Sequence, residues 1–423
     1  MMIKTQIAQF CLIFFLFLPF LSFSQEQSPE TDPESLRKDA VNFFLDCDRC
    51  DINYIRREIP YVNYVRDVKE AQVYSLMTRQ FSGNGGREYT FTFEGQSEFS
   101  GMNDTLRFTS MPDDTQDKIR SQQLQMLKMG LMRYVARTPL YREINISHSG
   151  ILEEQDVTDR WNNWVFEFRF RPFFEGEETY KEINIFNSVR ASKITEDWKL
   201  EIDFDNGFNR VSYNYEDTAY TAFRNSVDLE ALVVKSINEH WSAGGEISFR
   251  ASSFSNHKFQ AEIMPALEYN VFPYSESTRR QLRMLYGIAY SNNLYNDTTI
   301  FDKIREGLFR QSFQMAYEVK QKWGEIDVSM EASNYLHDLS KNRIELGGSI
   351  EIRIVKGLTF DIFGSVARVR DQVSLTKDEL SQADILLRLQ EMETGYYYHG
   401  GIGISYTFGS IYNNIVNPRF GHY

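Results

Sequence analysis

Side-chain character alternates with a period of two in segment after segment from about Trp161 onward, and nothing else in this chain narrows its fold as much. From Trp164 to Arg171 the even positions are aromatic and the odd ones mostly charged. Trp198, Leu200, Ile202 and Phe204 alternate with Lys199, Glu201, Asp203 and Asp205; Ile326, Val328, Met330 and Ala332 alternate with Glu325, Asp327, Ser329 and Glu331. Ile344, Leu346, Ile350, Ile352 and Ile354 share a face opposite Arg343, Glu345, Ser349, Glu351 and Arg353. This period belongs to strands whose two faces meet different surroundings.

A soluble sandwich alternates as well, so the pattern alone does not say whether the apolar face meets a core or lipid. Tryptophan placement bears on that choice. Trp164, Trp198, Trp241 and Trp323 each open a strand after a polar turn, which predicts a ring of membrane-interface aromatics at one end of a barrel. Connections alternate between tight (195–197, 238–240, 273–278, 321–322, 356–357) and longer (207–218, 293–305, 337–341, 371–395). The segments near 163–173, 180–194, 198–206, 219–236, 241–252, 258–272, 280–292, 307–320, 323–336, 342–355, 358–370 and 397–409 predict a mainly β chain. Its expected fold is an antiparallel transmembrane β-barrel of about 12 strands over residues 161–409, with both ends on the periplasmic side. Gly401 to Phe408 resembles the closing β-signal strand of outer-membrane proteins. Mean hydropathy is negative, which does not count against such a barrel, because spans of about nine to eleven alternating residues escape window averages.

The amino-terminal part differs. Lys4 followed by the apolar run Phe10–Phe23 and by Ser22-Phe23-Ser24 reads as a signal peptide over 1–24, with Cys11 inside it. Residues 25–32 read as a flexible leader, 33–140 as a periplasmic α/β domain, 141–160 as a linker and 410–423 as a tail. Glu34–Phe44 and Ile52–Ile59 are expected as short helices flanking Cys47 and Cys50. That C-x-x-C pair, in an oxidising compartment, is expected to form a local disulfide; free thiols or a contact with another chain stay open. Ala71–Phe81 and Glu88–Gly95 predict a hairpin around Ser82-Gly83-Asn84-Gly85-Gly86, with Thr105–Ser110 as a third strand. The glycine turn lacks the Lys-Ser/Thr of a phosphate-binding loop. Ile119, Leu124, Leu127, Leu131, Tyr134 and Val135 then recur at helical steps. From Glu70 to Arg137 the strand, glycine turn, aromatic strand Tyr89-Thr90-Phe91-Thr92-Phe93 and returning helix resemble the amino-terminal domain of the TolB translocation protein. The resemblance implies a periplasmic protein-contact module.

The polar faces predict a lumen lined by Glu167, Arg169, Arg171, Glu201, Asp203, Glu325, Asp327, Arg343, Glu345, Glu351 and Arg353, where opposite charges pair across the interior or line a path for a small solute. A helix in the last outer loop, opened by Thr376-Lys377-Asp378-Glu379 and carrying Leu380, Ala383, Leu387 and Gln390 on one face, covers the mouth or packs on the rim. A twelve-stranded barrel resembles the outer-membrane phospholipase class, which needs a serine and a histidine on the lipid-facing wall; of the histidines only His399 is placed for it, on the lumen side. An outer-membrane protease would need Asp371, Asp378 and His399 to meet. No catalytic set, cofactor or metal site is therefore expected. A net charge of -13 offers no stripe for nucleic acid. The expected function is a non-enzymatic barrel in outer-membrane lipid that anchors a protein-interaction domain, residues 33–140, for an envelope partner. A narrow channel is the alternative, and a hydrolase a more distant one.

Overall fold

A computed structural model describes residues 39–146, 159–215, 218–377, 390–409 and 419. The expected signal peptide and leader, and most of the expected outer-loop helix and tail, lie outside the described residues.

The amino-terminal domain comprises β1 (Val41–Asp46), α1 (Ile52–Glu58), β2 (Val62–Tyr64), β3 (Val73–Phe81), β4 (Arg87–Gly95), β5 (Asn103–Thr109) and α2 (Gln116–Val135). Its five strands run in the order β2-β1-β3-β4-β5, with β1 parallel to both neighbours and the rest antiparallel. The helix expected over Glu34–Phe44 is replaced, in its described part, by β1. Val41 and Phe43 point to one side and are 1% and 0% exposed, a period of two that parallel pairing on both edges rewards. Cys47 and Cys50 form a disulfide between β1 and α1. Thr115 caps α2 by accepting from the Lys118 N–H at 3.2 Å.

The helix lies on one face of the sheet. Leu127, Leu131 and Tyr134 of α2 meet Phe43, Phe91 and Phe93 in a single core, each such side chain contributing roughly 1.5–3 kcal/mol. Tyr134 donates its hydroxyl to the Met102 carbonyl at 2.5 Å. Gly130 lets the helix descend onto Phe93, since a Cβ there would sit 2.2 Å from the ring. Leu140, at the expected end of the domain, and Ile144, placed in the expected linker, pack against this core.

The second sheet holds twelve antiparallel strands in strict sequence order: β6 (Trp164–Gly176), β7 (Tyr180–Ile194), β8 (Trp198–Tyr215), β9 (Thr218–Ser236), β10 (Trp241–Ser252), β11 (His257–Asn270), β12 (Arg280–Tyr295), β13 (Arg305–Gln321), β14 (Gly324–Tyr335), β15 (Asp338–Val355), β16 (Leu358–Val369) and β17 (Tyr396–Tyr406). Two expected outer loops are strand instead. Residues 207–215 continue β8, because the Asn206 and Asn209 amides, turn-formers in isolation, find cross-strand partners in Asn187 (3.1 Å) and Arg224 (3.1 Å). The loop expected at 337–341 shrinks to Leu336-His337, as tight as Lys322-Trp323 at the other end, so connection lengths do not alternate.

Contacts at both ends show that the sheet wraps round. At the end where β6, β8, β10 and β14 begin, the near mouth, the amino-terminal domain touches connections from the β6 start to beyond β17. At the far mouth, Asp371–Lys377 leaves β16 and reaches the β10–β11 and β12–β13 loops, half the sheet away. Among the described residues no ladder joins β6 to β17, which form the two sheet edges. No described helix is long and apolar enough to cross a membrane.

Candidate functional site at the mouth of the barrel

The alternation of β4 decides how the domain sits. Phe91 and Phe93 go to the helix, so Thr90, Thr92 and Glu94 share the opposite face with Tyr74, Leu76 and Thr78 of β3. A sheet face of this composition would normally be wet, yet Thr90 is 4% and Thr78 6% exposed. The barrel end covers it. The sheet is thus a middle layer between α2 and the near mouth.

Three acids of the domain meet four cations of the rim, and a fourth acid meets a backbone amide there. Asp46, at the end of β1, takes a two-pronged contact from Arg353, 2.8 Å to Oδ2 and 3.1 Å to Oδ1, while the Arg353 guanidinium lies 5.4 Å from the Phe44 ring centre. Glu94 is shared by Arg279 at 3.1 Å and Lys322 at 2.8 Å. Lys356 pairs with Glu70, and the Gly357 N–H donates to Asp67 Oδ2 at 2.7 Å. Lys322 also lies over the Tyr74 ring, whose hydroxyl donates to Asp46 at 2.9 Å. Burial first, and then the Asp46 carboxylate, push the Tyr74 phenol well above its ordinary range, so it stays a neutral donor. On the other side of the mouth the glycine turn presses on the first hairpin of the barrel. A Cβ on Gly83 would meet the Ile194 carbonyl at 2.7 Å, and one on Gly85, at φ +80°, would meet Val165 at 2.5 Å.

At the far mouth a strap does comparable work. Asn256 donates to the Ser374 carbonyl at 2.9 Å, the Ile300 N–H to Leu375 at 2.9 Å and the Lys377 N–H to Thr298 at 2.9 Å. Val373 and Leu375 are buried there. Asp371 at the root of the strap is held by Arg343 at 3.1 Å.

Most of the expected lumen residues are found in short-range pairs. Glu167 bonds Arg169, Asp203 bonds Arg190, Glu201 meets Lys199 at 3.1 Å, Glu325 meets Lys320 at 2.6 Å and Glu345 lies 3.8 Å from Arg343. Asp327 and Glu351 face the same side in register with Ser349 and Glu325, and Arg171 lies on the exposed edge strand. Arg353 departs from the expectation: its guanidinium leaves the wall and is taken by the domain. Trp164, Trp198, Trp241 and Trp323 do stand together at the near end, Trp198 under Lys235 at 4.9 Å and Trp241 against Tyr269 at 4.6 Å.

His399 faces the interior and its Nδ1 lies 3.1 Å from Ser365 Oγ. Asp371, which a protease would need beside it, is held by Arg343 instead, and Asp378 lies outside the described residues. The acids Asp46, Asp67, Glu70 and Glu94 and the cations Arg279, Lys322 and Lys356 were not singled out by sequence reasoning. Their only signal is a cation in each of three near-end connections, Arg279, Lys322 and Lys356, set against an acidic chain.

No protein-family model matches the chain, and no curated protein matches it. Among solved structures, the porin NanC aligns over 58% of this chain and 100% of its own, at 11% identity and a TM-score of 0.25. A bacterial polysaccharide outer membrane secretin aligns over 58% of this chain and 90% of its own, at 11% identity and a TM-score of 0.28.

Proposed function

We propose that this chain is a non-enzymatic outer-membrane barrel that holds its amino-terminal domain across the periplasmic mouth, where the free side of the domain engages an envelope protein in assembly or transport. One observation carries the reading: the ring of contacts made by Asp46, Asp67, Glu70 and Glu94 on Arg279, Lys322, Arg353, Lys356 and the Gly357 amide. Complementary charge of this kind fixes orientation as well as attachment. A tether needs no such register. Helix α2, part of the stretch that resembles the TolB amino-terminal domain, lies on that free side. Pull-down of the full-length protein from outer membranes in mild detergent, beside a deletion of residues 39–146, tests this. Partners held by the full chain and lost on deletion are expected; partners that stay bound to the barrel alone would overturn it.

The narrow channel remains the second reading because the wall is polar, with Arg310 paired to Glu262 at 2.9 Å and Gln260 to Asn293 at 2.9 Å. With a domain across one mouth and a strap across the other, conduction requires displacement. The full-length protein is then expected to be silent in planar bilayers, and the deletion to conduct if this reading holds.

A further inference from the structure

A cleft of about 710 Å³ in the amino-terminal domain opens between the Ser82–Gly86 turn, the segment after Cys47 and the first turn of α2. That volume lies in the range of small-molecule sites. Its walls carry Arg49, Arg79, Arg87 and Arg120 together with Asp51, Asp114 and Asp117. The carboxylates are already taken: Arg120 holds Asp117 at 2.6 Å and Asp51 at 3.3 Å, and Asp114 accepts from Lys118 at 2.5 Å and from the Met111 N–H at 2.8 Å. Arg49, Arg79 and Arg87 form no ion pair with a carboxylate among the described residues. Arg87 lies over the Phe81 ring at 4.5 Å.

Three unneutralised guanidiniums facing one cleft repel one another, and the repulsion is felt at Arg79. Partial burial first, then Arg87 and Arg49, hold its guanidinium below its usual range, with Tyr89 and Asp48 opposing. An anion with several oxygens, seated among them, would relieve this and accept paired hydrogen bonds that no carboxylate among the described residues accepts. The first turn of α2, with Gln116 on the wall, adds the positive end of a 20-residue helix.

We propose that this cleft binds a phosphate group, carried either by an anionic phospholipid or by a free phosphate compound. The geometry favours the lipid. Gly85 lines the cleft and also abuts Val165, next to Trp164 at the opening of β6. The cleft therefore lies beside the barrel rim, at the height where lipid headgroups would surround the expected aromatic ring.

The test uses full-length protein in a neutral detergent, comparing phosphatidylglycerol with phosphatidylcholine of the same acyl chains by native mass spectrometry, and inorganic phosphate by calorimetry. Wild type is expected to retain phosphatidylglycerol selectively, and the Arg79→Gln/Arg87→Gln variant to lose about tenfold in affinity for each guanidinium removed. Phosphate binding that the same variant abolishes, without lipid selectivity, would support the site and assign it to free phosphate. Equal binding of both ligands by wild type and variant overturns the proposal. Should the double variant not fold, Arg49→Gln, whose side chain is exposed, is expected to show the smaller loss, and an unchanged affinity there counts against the site.

Discussion

The two sheets of this protein are built from the same alternation and turn it in opposite directions. In β4 the aromatic set Phe91 and Phe93 is 0% exposed, packed under α2; in β6 the aromatic set Phe168 and Phe170 is 77% and 71% exposed. The small sheet hides its apolar face and gives its threonines to a neighbour. The large one keeps its charged side chains inside, in pairs, and puts its apolar side chains out. Period two therefore reports that a strand has two unlike faces, while the medium on each face is decided by what the rest of the chain can supply. A single long helix supplies cover for five strands. Nothing among the described residues covers twelve, and lipid is the cover that such a wall fits.

That contrast can be broken at its strongest point first. Phe93→Ala is expected to cost about 3–5 kcal/mol, as for other large core truncations, melting the domain while the barrel keeps its heat-modifiable mobility on gels. If both parts melt together, they are one cooperative unit and the contrast is wrong. Ile263, outward and midway along β11 at 50% exposure, gives the next test. Ile263→Arg should destabilise the barrel in lipid vesicles by about 2–4 kcal/mol if hydrocarbon surrounds it, read from urea unfolding; no change would place water there. A smaller effect sharpens the seam between the parts. Asp46→Asn removes the partner of Arg353, and a loss of about 1.5–3 kcal/mol in domain stability is expected, in the range of charged hydrogen bonds. The loss should shrink when wild type and variant are compared at high salt, and a salt-independent difference would mean that Asp46 acts through Tyr74 alone.

What the sequence let one see followed from local physics. The β3–β4 hairpin is written in its glycine turn, α2 in its apolar spacing, the disulfide in C-x-x-C, and the large sheet in its alternation. What it hid depended on distant partners. Val41 to Asp46 becomes a strand because β2 and β3 flank it, and residues 207–215 continue β8 because two asparagines are satisfied across the ladder. The rim joins Asp46 to Arg353 across 307 positions of sequence, and no window along the chain brings those side chains together. The candidate site was therefore the least legible part: Arg353 was visible as a charged wall residue, but its partner was not.

The threonine face of the small sheet has a consequence for order in time. Residues 73–94 leave the ribosome before any barrel strand, yet the part of the rim that lies against Thr90, Thr92 and Glu94 comes from later connections, from Ser275 to Lys322. This part of the docking surface is made long after the face it covers. The domain must first persist as a two-layer unit with one face wet, and it acquires its third layer only when the far half of the chain has wrapped back to meet it. The final dehydration of that face is thus a report, inside one polypeptide, that the barrel beneath it is complete.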